Sequence, residues 1–183
     1  ASDVYKRQVQ GPVDYTPGAY RNATREGFRI DYRNPMSQGT RAHQVAAYVV
    51  FDAPLVMLCD SPTRYMADEA CTRFIASLPV VFDTTRVLAG EIGEYIVTAR
   101  KRQDCWYVGG LTGWTPRTLD VDLSLLDPGR EYTATLLADD GRSAAEPARY
   151  VLSTQRVTSA TRLQIPVAPG GGFALKIEPA DNK

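Results

Sequence analysis

The residues best suited to chemistry sit where short apolar runs end. In Gly11-Pro12-Val13-Asp14-Tyr15-Thr16-Pro17-Gly18 an acid and an aromatic follow an apolar stretch, and Pro and Gly then force the backbone to turn. A carboxylate and a phenol placed there could hydrogen-bond a hydroxylated ligand, because barrel enzymes present working groups where strands give way to loops. The same residues fit an Asx turn, with Asp14 accepting from the backbone near Thr16 and Tyr15 packing. The residue types leave both readings open. Asp60, in Cys59-Asp60-Ser61-Pro62, is a second carboxylate after an apolar run, and the Ser-Pro beyond it makes it a cap residue of the next element.

The other reactive side chains point to structure more than to chemistry. His43 is the single histidine. It lies on a helical apolar pattern with no nucleophile motif beside it, so it reads as a hydrogen-bonded packing residue. Arg21, Arg25, Arg29 and Arg33 could orient an anionic or hydroxylated ligand; as solvated loop charge they would pair with Glu26 and Asp31, the commoner arrangement. Cys59, Cys71 and Cys105 fit no zinc spacing. Cys59 and Cys71 flank a short loop and could form a disulfide in an oxidising compartment; buried free thiols are the equal alternative. Trp106, Tyr107 and Trp114 could form an aromatic platform for a sugar ring. Trp106 is in phase with Val108 and belongs in a core, which leaves Trp114, between Gly113 and Pro116, as the candidate sugar or interface contact.

Composition bounds what these groups can serve. The 183 residues carry equal numbers of acidic and basic side chains and no basic block, which removes the electrostatic footprint of a nucleic-acid or anionic-membrane partner. No apolar run approaches the roughly 20 residues of a membrane span, and the start shows no signal-peptide core. Residues 1–8 fit no capped element and read as non-native or as a fragment edge.

The elements that must position these residues fall into two grammars. From Ser37 to Phe51, Ala42, Val45, Ala46, Val49 and Val50 recur at helical spacing, with Ser37 or Thr40 as cap. Leu55 to Cys59 is apolar without alternation and reads as a strand buried in a parallel sheet. A second helix is expected from about Met66 to Leu78, buried through Ala70, Phe74, Ile75 and Leu78. Residues 9–79 therefore read as strand, loop, helix, strand, helix, a parallel βα architecture. After Pro79 the period becomes two: Tyr95, Val97 and Ala99; Trp106 and Val108; Leu119 to Leu125; Tyr132 to Ala138; Tyr150 to Val157; Leu163 to Val167; Phe173 to Ile177. Turn runs such as Asp127-Pro128-Gly129, Asp139-Asp140-Gly141 and Pro169-Gly170-Gly171-Gly172 separate them. Seven or eight short strands without a helix predict an antiparallel β-sandwich over residues 80–183.

The runs GPVDYTPGAYRN, QGTRAHQVAAYVVFDAPLVMLCDSPTRYM, CTRFIASLPVVFDTTRVLAGEIGEYIVTARK, CWYVGGLT and APGGGFAL together resemble the C-terminal part of glycoside hydrolase family 97, from about Val9 to Ile177. The family comprises bacterial α-glucosidases and α-galactosidases. The resemblance implies an N-terminal β-sandwich, a (β/α)8 TIM barrel that performs catalysis and a C-terminal sandwich serving packing or oligomerisation. Residues 9–79 would then be the last βα units of the barrel, and 80–183 the C-terminal sandwich. The family's catalytic carboxylates and calcium-binding glutamates lie upstream of Gly-Pro-x-Asp-Tyr-Thr-Pro-Gly, so no position here inherits those roles. Residues 1–8 do not resemble the family.

Glycosidic cleavage needs two carboxyl groups, about 5 Å apart for retention or about 6.5–9.5 Å for inversion, one of them kept protonated. Asp14 and Asp60 alone cannot supply that pair together with a calcium site of six or more oxygens. The expectation is therefore an inactive fragment of an exo-acting α-glycosidase. Asp14 and Tyr15 would form the wall of its pocket, its substrate would be an oligosaccharide and its calcium would be bound elsewhere. By the same resemblance it is periplasmic or secreted and homo-oligomeric through the sandwich. The sugar and the stereochemistry stay open. A carbohydrate-binding module or an oligomerisation module without catalytic activity is the alternative.

Overall fold

A computed structural model describes residues 16–180. The chain enters through β1 (Asn22–Ala23) and β2 (Ser37–Gln38), a short parallel pair. Three helices follow: α1 (Arg41–Val50), α2 (Pro62–Ala67) and α3 (Glu69–Ala76). The remaining strands are β3 (Thr84–Glu91), β4 (Tyr95–Arg102), β5 (Cys105–Thr112), β6 (Arg117–Asp122), β7 (Tyr132–Ala138), β8 (Val151–Val157), β9 (Arg162–Val167) and β10 (Gly172–Pro179). They form a six-stranded sheet of order β3-β4-β5-β10-β7-β8 and a two-stranded sheet, β6-β9, with every pairing antiparallel.

Alternation explains the sandwich. Along β6 and β9 every second residue is buried, Leu119 and Val121 from one strand and Ile165 and Val167 from the other. These meet the inward side chains of the large sheet, among them Val97, Val108, Ala134, Phe173, Leu175 and Ile177. Tyr132 lies fully inside and spends its hydroxyl on Asp127, donating to Oδ2 at 3.0 Å, so an apolar ring is buried without stranding its polar tip.

The outer face of the six-stranded sheet is covered by the helices. α1 is buried nearly all round, with Ala42, Val45, Ala46 and Val49 at zero exposure, as a helix apolar on most sides must be. It packs with Tyr107, Leu137 and Ala174 of the sheet and with Cys71, Phe74 and Ile75 of α3 in one apolar cluster. Gly109 of β5 makes the approach close. A Cβ there would stand 2.9 Å from both the Val49 Cβ and the Val50 Cγ2, nearer than side chains tolerate. Residues 16–80 and the sandwich thus share a core.

Several expectations are corrected. Leu55 to Cys59 is not a buried strand: it makes only an isolated bridge at Val56, and Leu55, Met57 and Leu58 are more than half exposed. A run apolar on both faces becomes a strand only where neighbours pair with it and cover it, and no ladder among the described residues does so. The helix expected over Met66 to Leu78 is two, broken at Asp68, whose side chain accepts from the Cys71 N–H and restarts the chain as the N-cap of α3. Cys71, not Ala70, lies on its buried face. The described part of residues 9–79 forms a helical layer on the sandwich and carries the short parallel pair β1-β2.

Candidate functional site

Three polar clusters along the seam between helices and sheet hold the layer in place. At the start of α1 the Thr40 hydroxyl accepts from the His43 N–H at 3.1 Å, and the Thr40 N–H donates to the Gly170 carbonyl at 2.9 Å. His43 is half-buried, and its Nδ1 lies 3.1 Å from the Gly171 carbonyl oxygen. Because a carbonyl can only accept, Nδ1 carries the proton. Burial pushes the imidazole pKa down, which keeps the ring neutral. A neutral, committed imidazole is a fastener, in agreement with the sequence reading.

Asp139 completes this corner from beneath. Its Oδ2 accepts from the Ala168 N–H at 2.9 Å and the Gly172 N–H at 3.0 Å, so one carboxylate closes the Gly-rich turn that receives α1. A Cβ on Gly171 would collide with that oxygen, which is why the turn takes no side chain there. Oδ1 is buried without a hydrogen-bond partner. Burial raises the carboxyl pKa to about 6, against the pull of the Thr40 hydroxyl and the two N–H groups.

The second anchorage is Arg41. Its guanidinium donates to Asp68 Oδ2 (2.7 Å), Asn22 Oδ1 (2.8 Å) and the Tyr20 carbonyl (2.7 Å), and it stacks 3.9 Å from the Tyr20 ring centroid. Asp68 also accepts from the Tyr150 hydroxyl at 2.7 Å, which ties α3 to the chain just before β8. The third is Arg100 of β4, which donates to the Phe51 carbonyl at 3.0 Å, the Asp52 carboxylate at 2.8 Å and the Thr85 hydroxyl at 3.1 Å. A cation beneath the last carbonyls of α1 is favoured by the helix dipole as well as by these bonds.

The same layer grips the end of the opening motif. The Tyr48 hydroxyl donates to the Pro17 carbonyl at 2.9 Å and the Tyr65 hydroxyl to the Gly18 carbonyl at 2.8 Å. Asp60 accepts from the Tyr20 N–H at 2.9 Å and the Ser61 N–H at 2.8 Å. Its oxygens hold loops together, and Ser61 rather than Asp60 is the N-cap of α2. Asp14 and Tyr15 lie outside the described residues.

The remaining candidates separate. Trp106 and Tyr107 are buried on opposite faces of β5, one in the sandwich core and one under the helices, so they cannot form a platform with Trp114. Trp114 is half-buried, its ring so close to Gly170 that a Cβ there would come within 2.6 Å, with the Arg25 guanidinium 5.9 Å from its centroid. The arginines of the 21–33 loop spread along an exposed strip; Arg21 reaches the Asn34 carbonyl, and Asp31 accepts from the Arg33 and Asn34 N–H groups. All three cysteines are free thiols, Cys59 exposed and Cys71 buried, so the disulfide considered between them is not formed. Among the described residues no group of three or more His, Cys, Asp or Glu could hold a metal ion. No helix among them is long and apolar enough to cross a membrane.

An open groove of about 870 Å³ runs between β3, β6 and β9. Its polar groups are mostly engaged, Arg162 with Asp122 at 2.8 Å, Gln164 with Asp120 at 3.2 Å and Arg86 over the Trp106 ring at 5.4 Å. None of Arg41, Asp68, Arg100 and Asp139 stands out in the sequence. Their partners lie far along the chain, and Asp139 reads there only as the start of a turn.

Comparison with known proteins gives these features a context. The family described as "Glycosyl-hydrolase 97 C-terminal, oligomerisation" matches residues 81–178, which span all eight strands of the two sheets but for the last residue of β10. The chain is 48% identical over 172 residues to a retaining alpha-galactosidase of Bacteroides thetaiotaomicron, covering 94% of this chain and 26% of that protein. It is 30% identical over 173 residues to a probable retaining alpha-galactosidase of Streptomyces bingchenggensis, covering 93% and 24%. A variant of a Glycoside Hydrolase Family 97 enzyme from Pseudoalteromonas sp. strain K8, solved in complex with panose, superposes with a TM-score of 0.82 at 28% identity over 93% of this chain and 27% of its own. The chain spans about a quarter of the length of each of these relatives.

Proposed function

Because the chain belongs to the glycosyl-hydrolase 97 C-terminal, oligomerisation family, we propose that it is the scaffold end of an exo-acting α-glycosidase that removes terminal α-linked sugars from oligosaccharides. The observation that carries this reading is the seam. A helical layer is fixed to the sandwich by the bonds of Thr40 to Gly170, Asp68 to Tyr150 and Arg100 to Phe51, and from that base Tyr48 and Tyr65 clamp Pro17 and Gly18. In the longer protein the layer would be the last βα units of a (β/α)8 barrel. The exposed Leu55 to Leu58 run would be one of its strands, and Asp14 and Tyr15 would stand in the pocket wall.

The relatives support a choice of sugar. The one at 48% identity is named a retaining alpha-galactosidase, whereas the structure with panose is at 28%, which favours α-galactosides over α-glucosides. Retention needs a carboxylate nucleophile and a carboxylic acid about 5 Å apart. Both would come from outside residues 16–180, as would the calcium ligands the family resemblance implies, and this chain alone would turn over no substrate. The sandwich would act in assembly of copies, and the enzyme would work in the periplasm or outside the cell. The test is hydrolysis of aryl α-galactosides and α-glucosides by the longer protein, with and without chelator, following the product anomer by NMR. Preferred cleavage of the galactoside with retention, lost on chelation, is expected. Cleavage of neither substrate would overturn the reading.

A further inference from the structure

The two edges of the six-stranded sheet, β3 and β8, are finished differently. β3 has a register shift between Val87 and Ala89 and lines the groove with β6 and β9. A bulge is one way in which proteins blunt an edge. β8 has none: it pairs with β7 residue for residue, from Tyr132 opposite Val157 to Ala138 opposite Val151. Val151 through Arg156 are all exposed, Val151 and Leu152 at 43% each. The strand contains no Pro, Lys, Asp or Glu, and Arg156 is its single charge. An edge this regular and this weakly charged is open to a further strand.

We propose that β8 is the surface through which two copies of this chain join, pairing antiparallel about a two-fold axis at Thr154 to make one continuous sheet. The inference rests on the assembly reading, drawn from the family's description as oligomerisation, and adds where the contact lies. A two-fold contact requires a strip complementary to itself. An axis at Thr154 overlaps the whole of Val151–Val157. It sets Val151 of one copy opposite Val157 of the other, Leu152 opposite Arg156 and Ser153 opposite Gln155.

No like charges then face each other. The half-exposed Val151 gains an apolar neighbour, and the stem of Arg156 covers Leu152. The Thr154 hydroxyl, already 3.3 Å from that of Thr135, extends a row of threonines across the axis.

The experiment is light scattering of the full chain over a concentration series, with Ser153→Lys/Gln155→Lys on β8 and Val87→Lys on β3 as control. Circular dichroism and melting check that each variant is folded. Lysines at 153 and 155 would face each other twice across the axis. The expected result is twice the 20.1 kDa chain mass for the wild type and Val87→Lys, and the single-chain mass for the folded double variant. In a Cys59→Ser background, Thr154→Cys should cross-link between copies under mild oxidation, because each residue at the axis lies opposite itself. A folded double variant that keeps the doubled mass, or a Thr154→Cys that stays uncross-linked, overturns the β8 assignment and leaves the assembly reading standing. A wild type at single-chain mass at every concentration overturns both.

Discussion

The six-stranded sheet is covered on both faces, and the two covers are built on different principles. Its inner face meets β6 and β9 mainly through apolar side chains, Phe173, Leu175 and Ile177 against Leu119, Val121 and Ile165. Its outer face meets α1 through apolar residues that include the small Gly109 and Ala174, and is bounded by the buried groups Arg41, Arg100 and Asp139. Apolar packing tolerates many arrangements of similar volume, whereas buried charges are costly unless each finds its partner. The inner face therefore supplies stability, and the outer face fixes one position of the helices on the sheet.

The largest expected effect falls on the inner face. Phe173→Ala removes a ring of zero exposure and should cost about 3–5 kcal/mol, lowering the melting temperature of the whole protein by roughly 10 °C. On the outer face Arg41→Met should cost about 3 kcal/mol, at the low end for a broken pair because Asp68 keeps its bonds from Tyr150 and Cys71. In a single cooperative unit that loss is shared, so the melting of α1 and of the sandwich should fall together, while limited proteolysis should quicken first in the segment between α1 and α2; a variant as stable as the wild type would remove Arg41 from the account.

The last effect, similar in size to that of Arg41→Met, is one of pH. The fold raises Asp139 to about 6 from an ordinary 3.8, so its protonated form is the favoured one. Its contribution is complete below about 3.8 and is lost as pH rises through 6. Relative to Asp139→Asn, the wild type should lose roughly 3 kcal/mol of stability between pH 3 and 7, measured by urea unfolding at each pH. Asp31, Asp83, Asp122 and Asp140, whose pKa values are lowered, are common to both proteins and cancel.

The same division explains what could be read from the sequence. β6 and β9 have one buried and one exposed face, so alternation at Leu119/Val121 and Ile165/Val167 announced them. β3 is exposed over most of its length and shows no pattern to read. The spacing of Ala42, Val45, Ala46 and Val49 gave α1, because that stripe is set by the helix itself. The break at Asp68 had a signal, an Asp-Glu pair at a helix start, hidden inside a longer apolar period. Leu55 to Cys59 misled because a continuous apolar run reports on neighbours, and those must come from another part of the chain. The seam was illegible for a related reason. Arg41 finds Asp68 across 27 residues, Arg100 finds Asp52 across 48 and Asp139 finds Gly172 across 33, and no local pattern encodes such distances.

The central claim is that the helical layer and the sandwich are one rigid unit. Native-state hydrogen exchange at Val45, Ala46 and Val49 of α1, compared with Phe173 and Leu175 of β10, tests it most directly. The account predicts that both sets exchange only through the same global opening, with equal free energies and the same urea dependence. Exchange of the α1 amides through a separate, lower-energy opening, with β10 still protected, would contradict it.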